Sequence, residues 1–374
     1  MLDYKSSGVD YDLLYAFKRN AQEAAERTDY NIARFGAKVI RETRGRSAFA
    51  IELKPSSRPV LILILSKVNA GIETKNLVAD KMYRLTKVPY YYNVAQDAVA
   101  MIVNDAISVG TLPVVVNMHL AVGSSDWFSK NQANADALIL GWEHACHLAR
   151  CVWGGGETAT LKDIIYKNMC ELSGSTFGLA GVYEQFVSEE NICDGDAIVI
   201  LESSGIHANG LTLVRDIAKK LPDTYLTKLE NGLTFGEEIL KPTPIYVGVI
   251  EDCFNAGVKI HYAENITGHG WRKLMCPNRP FNYVIEKLPD TQTIFKFIQK
   301  VADMSDYEAY ATFNMGAGYA LYVDVEDVST VIKIAQKNSI KAYHAGHITK
   351  SRDTKQVLIL PKGIKYGGGT LSIR

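Results

Sequence analysis

Asp196–Leu221 reads DAIVILESSGIHANGLTLVRDIAKKL. It opens on an apolar run of strand length, DAIVILE, and closes on LTLVRDIAKKL, where Leu211, Val214, Ala218 and Leu221 recur at helical spacing. Between them lies SSGIHANG, Ser203–Gly210, far richer in small residues than a strand-to-helix turn requires. Small residues let backbone N–H groups approach an anion, and the N-terminus of the following helix favours negative charge. His207 and Asn209 are the bulky polar exceptions and are therefore candidates for ligand contact.

Working outward, the chain alternates between strand and helix patterns. PVLILIL (Pro59–Leu65) and LPVVVNMHLAV read as strands, and NVAQDAVAMIVNDAISVG (Asn93–Gly110) between them reads as a helix with a glycine stop. That order resembles a βαβ crossover. NQANADALILGWEHACHLARCVW is expected to be a long helix ended by Gly154–Gly156, followed by a TLKDIIYK helix and a strand at GSTFGLAGVYE. DLLYAFKRNAQEAAERT near the start also has helical spacing. The polar stretch EQFVSEENICDGD places a domain boundary near residues 184–196, giving domains of residues 1–190 and 191–374. The second half continues with a helix at PTPIYVGVIEDCFNAG, a strand at KIHYAE and the turn NITGHGWRKLM. It ends by alternating TIFKFIQKVADM, GYALYVDV, DVSTVIKIAQKN, IKAYHAGHI and QVLILP. The expected fold is a two-domain α/β protein: a mixed-sheet α/β domain, then an α+β domain with helices on a largely antiparallel sheet.

Composition narrows the function classes. The chain has 374 residues, with Lys+Arg and Asp+Glu both at 41, so bulk charge gives no hold on nucleic acid or an anionic membrane. No apolar run approaches the ~20 residues of a spanning helix. The polar start MLDYKSSGVDYD shows no secretory h-region, and the six cysteines form no C-x-x-C pair. A cytoplasmic protein with reduced thiols is expected.

Further clusters share the lack of bulk: NAGIETK (Asn69–Lys75), GGGETAT (Gly154–Thr160), NITGHG (Asn265–Gly270) and FNMGAG (Phe313–Gly318). The helix VAQDAVAMIVNDAI carries the sharpest anomaly. Asp97, Asn104 and Asp105 fall on one helix face among Val, Ala, Met and Ile. Carboxylates there need pairing or a cation, and Mg²⁺ with nucleotide phosphates suits them; an exposed polar stripe is the alternative. Glu157 reads equally well as a cation or ribose contact and as a first-turn acid. Lys75 can meet a phosphate or stand on the surface. His144, His147 and Cys151 share a helix face but match no zinc spacing, and His119, His261, His344 and His347 stand apart in sequence and read as structural. G-x-S-x-G, H-E-x-x-H and Walker A patterns are missing from the sequence.

SSGIHANGLTLVR, LKPTPIYV, NITGHG, GGGETA, AMIVND and above all FNMGAG together resemble the aminoimidazole ribonucleotide synthase family, also called phosphoribosylformylglycinamidine cyclo-ligase, as does the opening SSGVDYD. The motifs occur in family order along nearly the whole chain. The resemblance implies a first domain that binds ATP and metal and dimerises through a barrel-like sheet interface, and a second domain on the substrate side. It implies ATP and Mg²⁺ as cofactors, a ribonucleotide substrate and a homodimer without nucleic-acid or membrane partners. By motif, Thr74, Lys75, Asp97, Asn104, Asp105, Gly156, Glu157 and Thr158 would meet the nucleotide, with Asp105, Glu73 and Asp97 as metal ligands. Ser204, Gly205, His207, Asn209, Thr267, Gly268, Asn314 and Gly316 would meet the substrate, and Lys75, His207 and Asn209 would serve catalysis. The sequence departs from the family in its first loop, where Ala70-Gly71-Ile72-Glu73-Thr74-Lys75 stands for the usual Asp-Gly-Val-Gly-Thr-Lys, and at His269, where glycine is common. These departures keep two alternatives open: an ATP-dependent enzyme on another phosphorylated metabolite, and a nucleotide-binding homologue without turnover.

Overall fold

The computed structural model describes residue 33 and residues 37–43, 49–53, 63–71, 74–180 and 186–371. The helix expected at DLLYAFKRNAQEAAERT, the start of PVLILIL, and Glu73 lie outside the described residues.

Two sheets organise the chain. The first has six strands in the order β1-β2-β3-β6-β4-β5. They are β1 (Ala37–Val39), β2 (Phe49–Leu53), β3 (Leu63–Gly71), β4 (Leu112–Val122), β5 (Val152–Thr160) and β6 (Cys170–Ala180). β3 and β4 are each antiparallel to β6, which lies between them, so they run parallel to one another. The connection between them is the expected crossover, with β6 inserted. It contains α1 (Lys75–Thr86) and α2 (Tyr91–Ala106). α2 is almost wholly buried between the sheet and a further helix, α4 (Gln132–Leu148), which follows the short α3 (Asp126–Lys130).

Two expectations fail in this half. α4 stops at Leu148, before the triple glycine, and Arg150 takes a left-handed φ of 53°. Gly154–Gly156 lie inside β5, paired in parallel to β4. Residues 161–169 form turns rather than a TLKDIIYK helix. Glycine ends helices through its freedom at positive φ, but here a neighbouring strand edge recruits the segment first.

The second sheet has seven strands in the order β13-β12-β9-β11-β7-β10-β8. They are β7 (Ala197–Glu202), β8 (Ile260–Asn265), β9 (Phe281–Ile285), β10 (Ala317–Val323), β11 (Ala342–Lys350), β12 (Gln356–Ile359) and β13 (Ile364–Gly367). All pairings are antiparallel except β12 with β9. β7 and β10 are buried along nearly their whole length, which explains their unbroken apolar sequences. The helices are α5 (Leu211–Lys220), α6 (Phe235–Ile239), α7 (Val247–Asn255), α8 (Thr293–Ala302), α9 (Asp306–Thr312) and α10 (Val328–Lys337). The helix expected from Pro242 begins only at Val247. Pro242 and Pro244 bias the residues before them toward extended backbone, so residues 241–246 run as a strap.

Candidate active site

The polar stripe on α2 explains the strap. Asn93, Gln96, Asp97 and Asn104 project from one helical face, with Ala100 leaving room between them. Asn93 Nδ2 donates to the Leu240 carbonyl and Gln96 Nε2 to the Thr243 carbonyl, both at 2.9 Å. Asp97 Oδ1 accepts from the Thr243 amide at 2.9 Å and from its hydroxyl at 2.5 Å. Asn104 donates to the Pro244 carbonyl at 2.9 Å and accepts from the Tyr246 amide at 3.0 Å. An apolar helix thus reads the main chain of a strap from the other half of the protein.

Lys75, the first residue of α1, lies beside this stripe. Its Nζ is 2.7 Å from Asp97 Oδ2 and donates to the Lys241 carbonyl at 2.9 Å, and both charged side chains are wholly buried. Burial drives the amine down and the carboxyl up, while their mutual attraction and the Thr243 donors oppose this. Of the outcomes the sequence left open for a carboxylate in this helix, pairing is the one Asp97 takes.

Next to the pair is SSGIHANG. Ser204 Oγ donates to the Pro242 carbonyl at 2.7 Å. His207 is buried at a left-handed φ of 57°, and its Nε2 accepts from the Ser204 amide at 3.4 Å. Burial, then the Lys75 charge, pushes its imidazole down to about 3, so it is neutral at neutral pH. Gly210 must be glycine: its φ is 74°, and a Cβ there would strike the Phe313 ring.

FNMGAG closes over the turn. Asn314 Oδ1 accepts from Ser203 Oγ at 2.9 Å and from the Gly316 amide at 3.1 Å, and its Nδ2 donates to the Gly205 carbonyl at 2.8 Å. Trp271 Nε1 donates to the Asn314 carbonyl at 2.8 Å. The Asn314 side chain thereby pins one motif to the other. Asn209 Nδ2 is buried with no hydrogen-bond partner among the described residues.

NITGHG supplies the last side. Asn265 Nδ2 donates to Asp105 Oδ1 at 2.8 Å, joining β8 to the end of α2. Lys273 Nζ lies 2.8 Å from Glu264 Oε1 and donates to Thr267 Oγ1 at 3.1 Å. Burial would lower this amine, but Glu264, Cys276 and Asp105 outweigh it and raise it. Thr74, Asp105, Ser204, Thr267 and Gly268 remain partly exposed, so they form the accessible rim of the seam between the two halves.

The remaining predicted residues lie elsewhere. Glu157 and Thr158 are exposed on β5. With Gly156, Glu157 lines a cavity of about 630 Å³ on the six-stranded sheet, together with Asn117, His119, Ser173 and Ser175. The seam residues are not part of that lining, so the sequence clusters separate into two places. Ala70 lies on β3. His144 stacks on Tyr92, and His147 is exposed beside Glu143. His261 does not stand alone: its Nδ1 is 2.9 Å from Asp196 Oδ2. Sequence reading missed Thr243, Glu264 and Lys273. The Pro242-Thr243-Pro244 run signalled the strap; nothing in sequence signalled the Lys273 pairing.

Comparisons with known proteins bear on the family and the fold. A family model described as AIR synthase related protein, N-terminal domain, matches residues 74–180, and its C-terminal counterpart matches residues 194–358. A protein of Methanocaldococcus jannaschii named phosphoribosylformylglycinamidine cyclo-ligase is 36% identical over 299 residues, which is 79% of this chain and 81% of the relative. A protein of the same name from Methanococcus maripaludis is 32% identical over 94% of this chain and 93% of its own length. One from Prochlorococcus marinus is 28% identical over 96% and 99%. Among solved structures, AaThiL complexed with AMPPCP and TMP shares the fold at TM-score 0.55 and 16% identity, covering 86% of this chain and 91% of that one. T. maritima PurL complexed with ATP does so at TM-score 0.51 and 12% identity, covering 83% and 44%.

Proposed function

This chain belongs to the family of AIR synthase related proteins, and on that premise we propose that it is an ATP-dependent cyclo-ligase of purine biosynthesis. It converts formylglycinamidine ribonucleotide to aminoimidazole ribonucleotide. The formyl oxygen takes the γ-phosphoryl group of ATP, the amidine nitrogen attacks the activated carbon, and ADP and phosphate leave. The observation that carries this reading is the near full-length match to relatives named for this reaction. It favours the cyclo-ligase over an ATP-dependent enzyme on another phosphorylated metabolite or a nucleotide-binding homologue without turnover.

Such a reaction rests on positioning and on stabilising charge. In our reading the rim of the seam is where the substrate sits. The SSGIHANG and NITGHG turns face its phosphate and ribose, with Ser204, Gly205, Asn209, Thr267 and Gly268 in contact and with His207, Asn314 and Gly316 holding the turns rigid. The nucleotide lies toward Thr74, Lys75 and Asp105. Residues 1–190 form the nucleotide side and residues 191–374 the substrate side. Mg²⁺ fits the donor chemistry at Asp105, a partly exposed carboxylate, because this ion takes one or two carboxylates and keeps water and phosphate for the rest. It would offset phosphate charge there. Asp97 is engaged with Lys75 and Thr243.

A homodimer joined through the six-stranded sheet would give a barrel-like interface. Phe177, Val115 and Val152 support this, lying side by side in cross-strand register with Phe177 and Val152 exposed. The dimer would also cover the cavity lined by Glu157. Among the described residues no helix is long and apolar enough to cross a membrane, in keeping with a cytoplasmic enzyme. The decisive experiment supplies purified protein with formylglycinamidine ribonucleotide and Mg-ATP. Stoichiometric ADP and aminoimidazole product are expected; no product at enzyme concentrations equal to substrate overturns the assignment.

A further inference from the structure

Away from the seam, the end of the second sheet gathers three side chains of metal-binding type. Cys193, Asp196 and His261 bring one ligand atom each to within 4.8 Å of one another. They come from different elements. Cys193 and Asp196 flank a tight turn before β7, in which the Asp196 amide donates to the Cys193 carbonyl and Gly195 adopts a φ of 92°. His261 is the second residue of β8. β7 and β8 are not adjacent in the sheet; β10 separates them. The cluster therefore ties together strands that share no hydrogen bonds.

The supporting contacts hold the ligands in place. The turn is fixed to β11, where the Gly195 amide donates to the Ile348 carbonyl at 2.9 Å and Asp194 Oδ1 accepts from the Lys350 amide at 2.6 Å. Asp196 is buried and its Oδ2 accepts from the Cys193 amide at 2.8 Å. His261 Nδ1 lies 2.9 Å from the same oxygen. On its other side, Asp324 Oδ2 stands 3.8 Å from His261 Nε2, beyond hydrogen-bond distance but near enough for a small movement to let this carboxylate orient a metal-bound imidazole. Cys193 is exposed, and His261 lines a surface cavity of about 390 Å³, so an ion has a way in.

We propose that Cys193, Asp196 and His261 form a zinc site at the end of the second sheet. Thiolate, imidazole and carboxylate is a donor set that suits Zn²⁺ and not Mg²⁺, and three protein ligands leave a position for water. Zinc bond lengths of about 2.0–2.3 Å require ligand atoms about 3.3–3.6 Å apart. The His261–Asp196 pair needs to open by a few tenths of an ångström, and the Cys193 thiol, which donates to the Asn191 carbonyl at 3.4 Å, leaves that carbonyl and closes on it. On binding, the thiol proton leaves to solvent and the imidazole proton passes to Nε2, facing Asp324. The site is separate from the seam and does not depend on the reaction proposed above. Its effect is to staple the turn before β7 to β8.

The test uses full-length protein stripped with a chelator and desalted, in buffer with excess Mg²⁺ to saturate sites of hard oxygen ligands. Titration with Co²⁺, a spectroscopic stand-in for Zn²⁺, should give one equivalent bound with a thiolate-to-cobalt charge-transfer band and the visible bands of a tetrahedral ion. Zn²⁺ should abolish both by competition and raise the melting temperature. Cys193→Ser, at an exposed position, should remove the charge-transfer band, and His261→Gln should weaken Co²⁺ binding at least 100-fold. The zinc-dependent rise in melting temperature should vanish in both, with circular dichroism confirming that each variant is folded. Absence of stoichiometric binding, or a charge-transfer band that survives Cys193→Ser, overturns the proposal.

Discussion

Lys75 and Lys273 are both buried, and each meets a carboxylate at nearly the same distance, 2.7 Å for Asp97 and 2.8 Å for Glu264. Their proton affinities nevertheless move in opposite directions. At Lys75 burial wins and lowers the amine, because Asp97 alone opposes it. At Lys273 burial is again the largest influence, but Glu264, Cys276 and Asp105 together overcome it. The bond length does not decide the outcome; the number of negative groups within reach does. The Lys75 end of the seam is a self-contained pair that clamps the strap. The Lys273 end keeps its cation firmly charged beside Asp105.

The contrast can be broken most directly at the carboxylates. Asp97→Asn leaves Lys75 buried without a counter-charge and should cost about 3–5 kcal/mol in urea unfolding. Glu264→Gln should cost less, about 1–3 kcal/mol, because Lys273 retains other negative neighbours. Equal losses would show that the pair alone governs both ends. Asn314→Ala, which removes the link between FNMGAG and SSGIHANG, should cost about 2–3 kcal/mol from several hydrogen bonds lost together.

His207 sharpens the comparison through pH. Its folded value lies at about 3, lowered from 6.5. Below pH 6.5 the unfolded chain therefore binds a proton that the native state refuses. Stability from this group is complete above that pH and is lost as pH falls toward 3, at up to about 1.4 kcal/mol per pH unit. Thermal unfolding of His207→Gln between pH 7 and pH 4 should show a shallower decline than the parent; parallel curves would remove His207 as the cause. The smallest effect is expected on the sheet, where Glu157 is exposed. Glu157→Gln should change stability by no more than about 0.5 kcal/mol, so any change in the Michaelis constant for ATP would be a direct effect on binding.

Local patterns were legible in the sequence where a segment's own residues decide its structure. The β7–turn–α5 unit, α2 with its glycine stop, and the strand after FNMGAG all follow from periodicity and small-residue turns. What depended on distant partners was not legible. Gly154–Gly156 looked like the end of a helix, but the edge of β4 draws them into β5. Asp97 and Asn104 read as part of a nucleotide- and cation-binding face or a solvated stripe because what they meet lies far off in sequence, Lys75 and the Thr243 hydroxyl for Asp97 and main-chain atoms of residues 243–246 for both. His261 looked isolated because Asp196 reaches it only through the sheet. The shared lack of bulk in NAGIETK and GGGETAT likewise concealed that Lys75 and Glu157 occupy different places.

The strap has an evolutionary consequence. α2 recognises residues 240–246 chiefly through carbonyls and amides, so length matters there more than spelling. Apart from Thr243, whose hydroxyl donates to buried Asp97, and Tyr246, whose buried hydroxyl donates to the Glu202 carbonyl, residues that keep the backbone extended can be exchanged with little penalty. Insertion or deletion of a single residue would move every donor and acceptor out of register at once and leave several buried polar groups unmatched. Among homologues that keep this seam, the segment between α6 and α7 should drift in letters but hold its length.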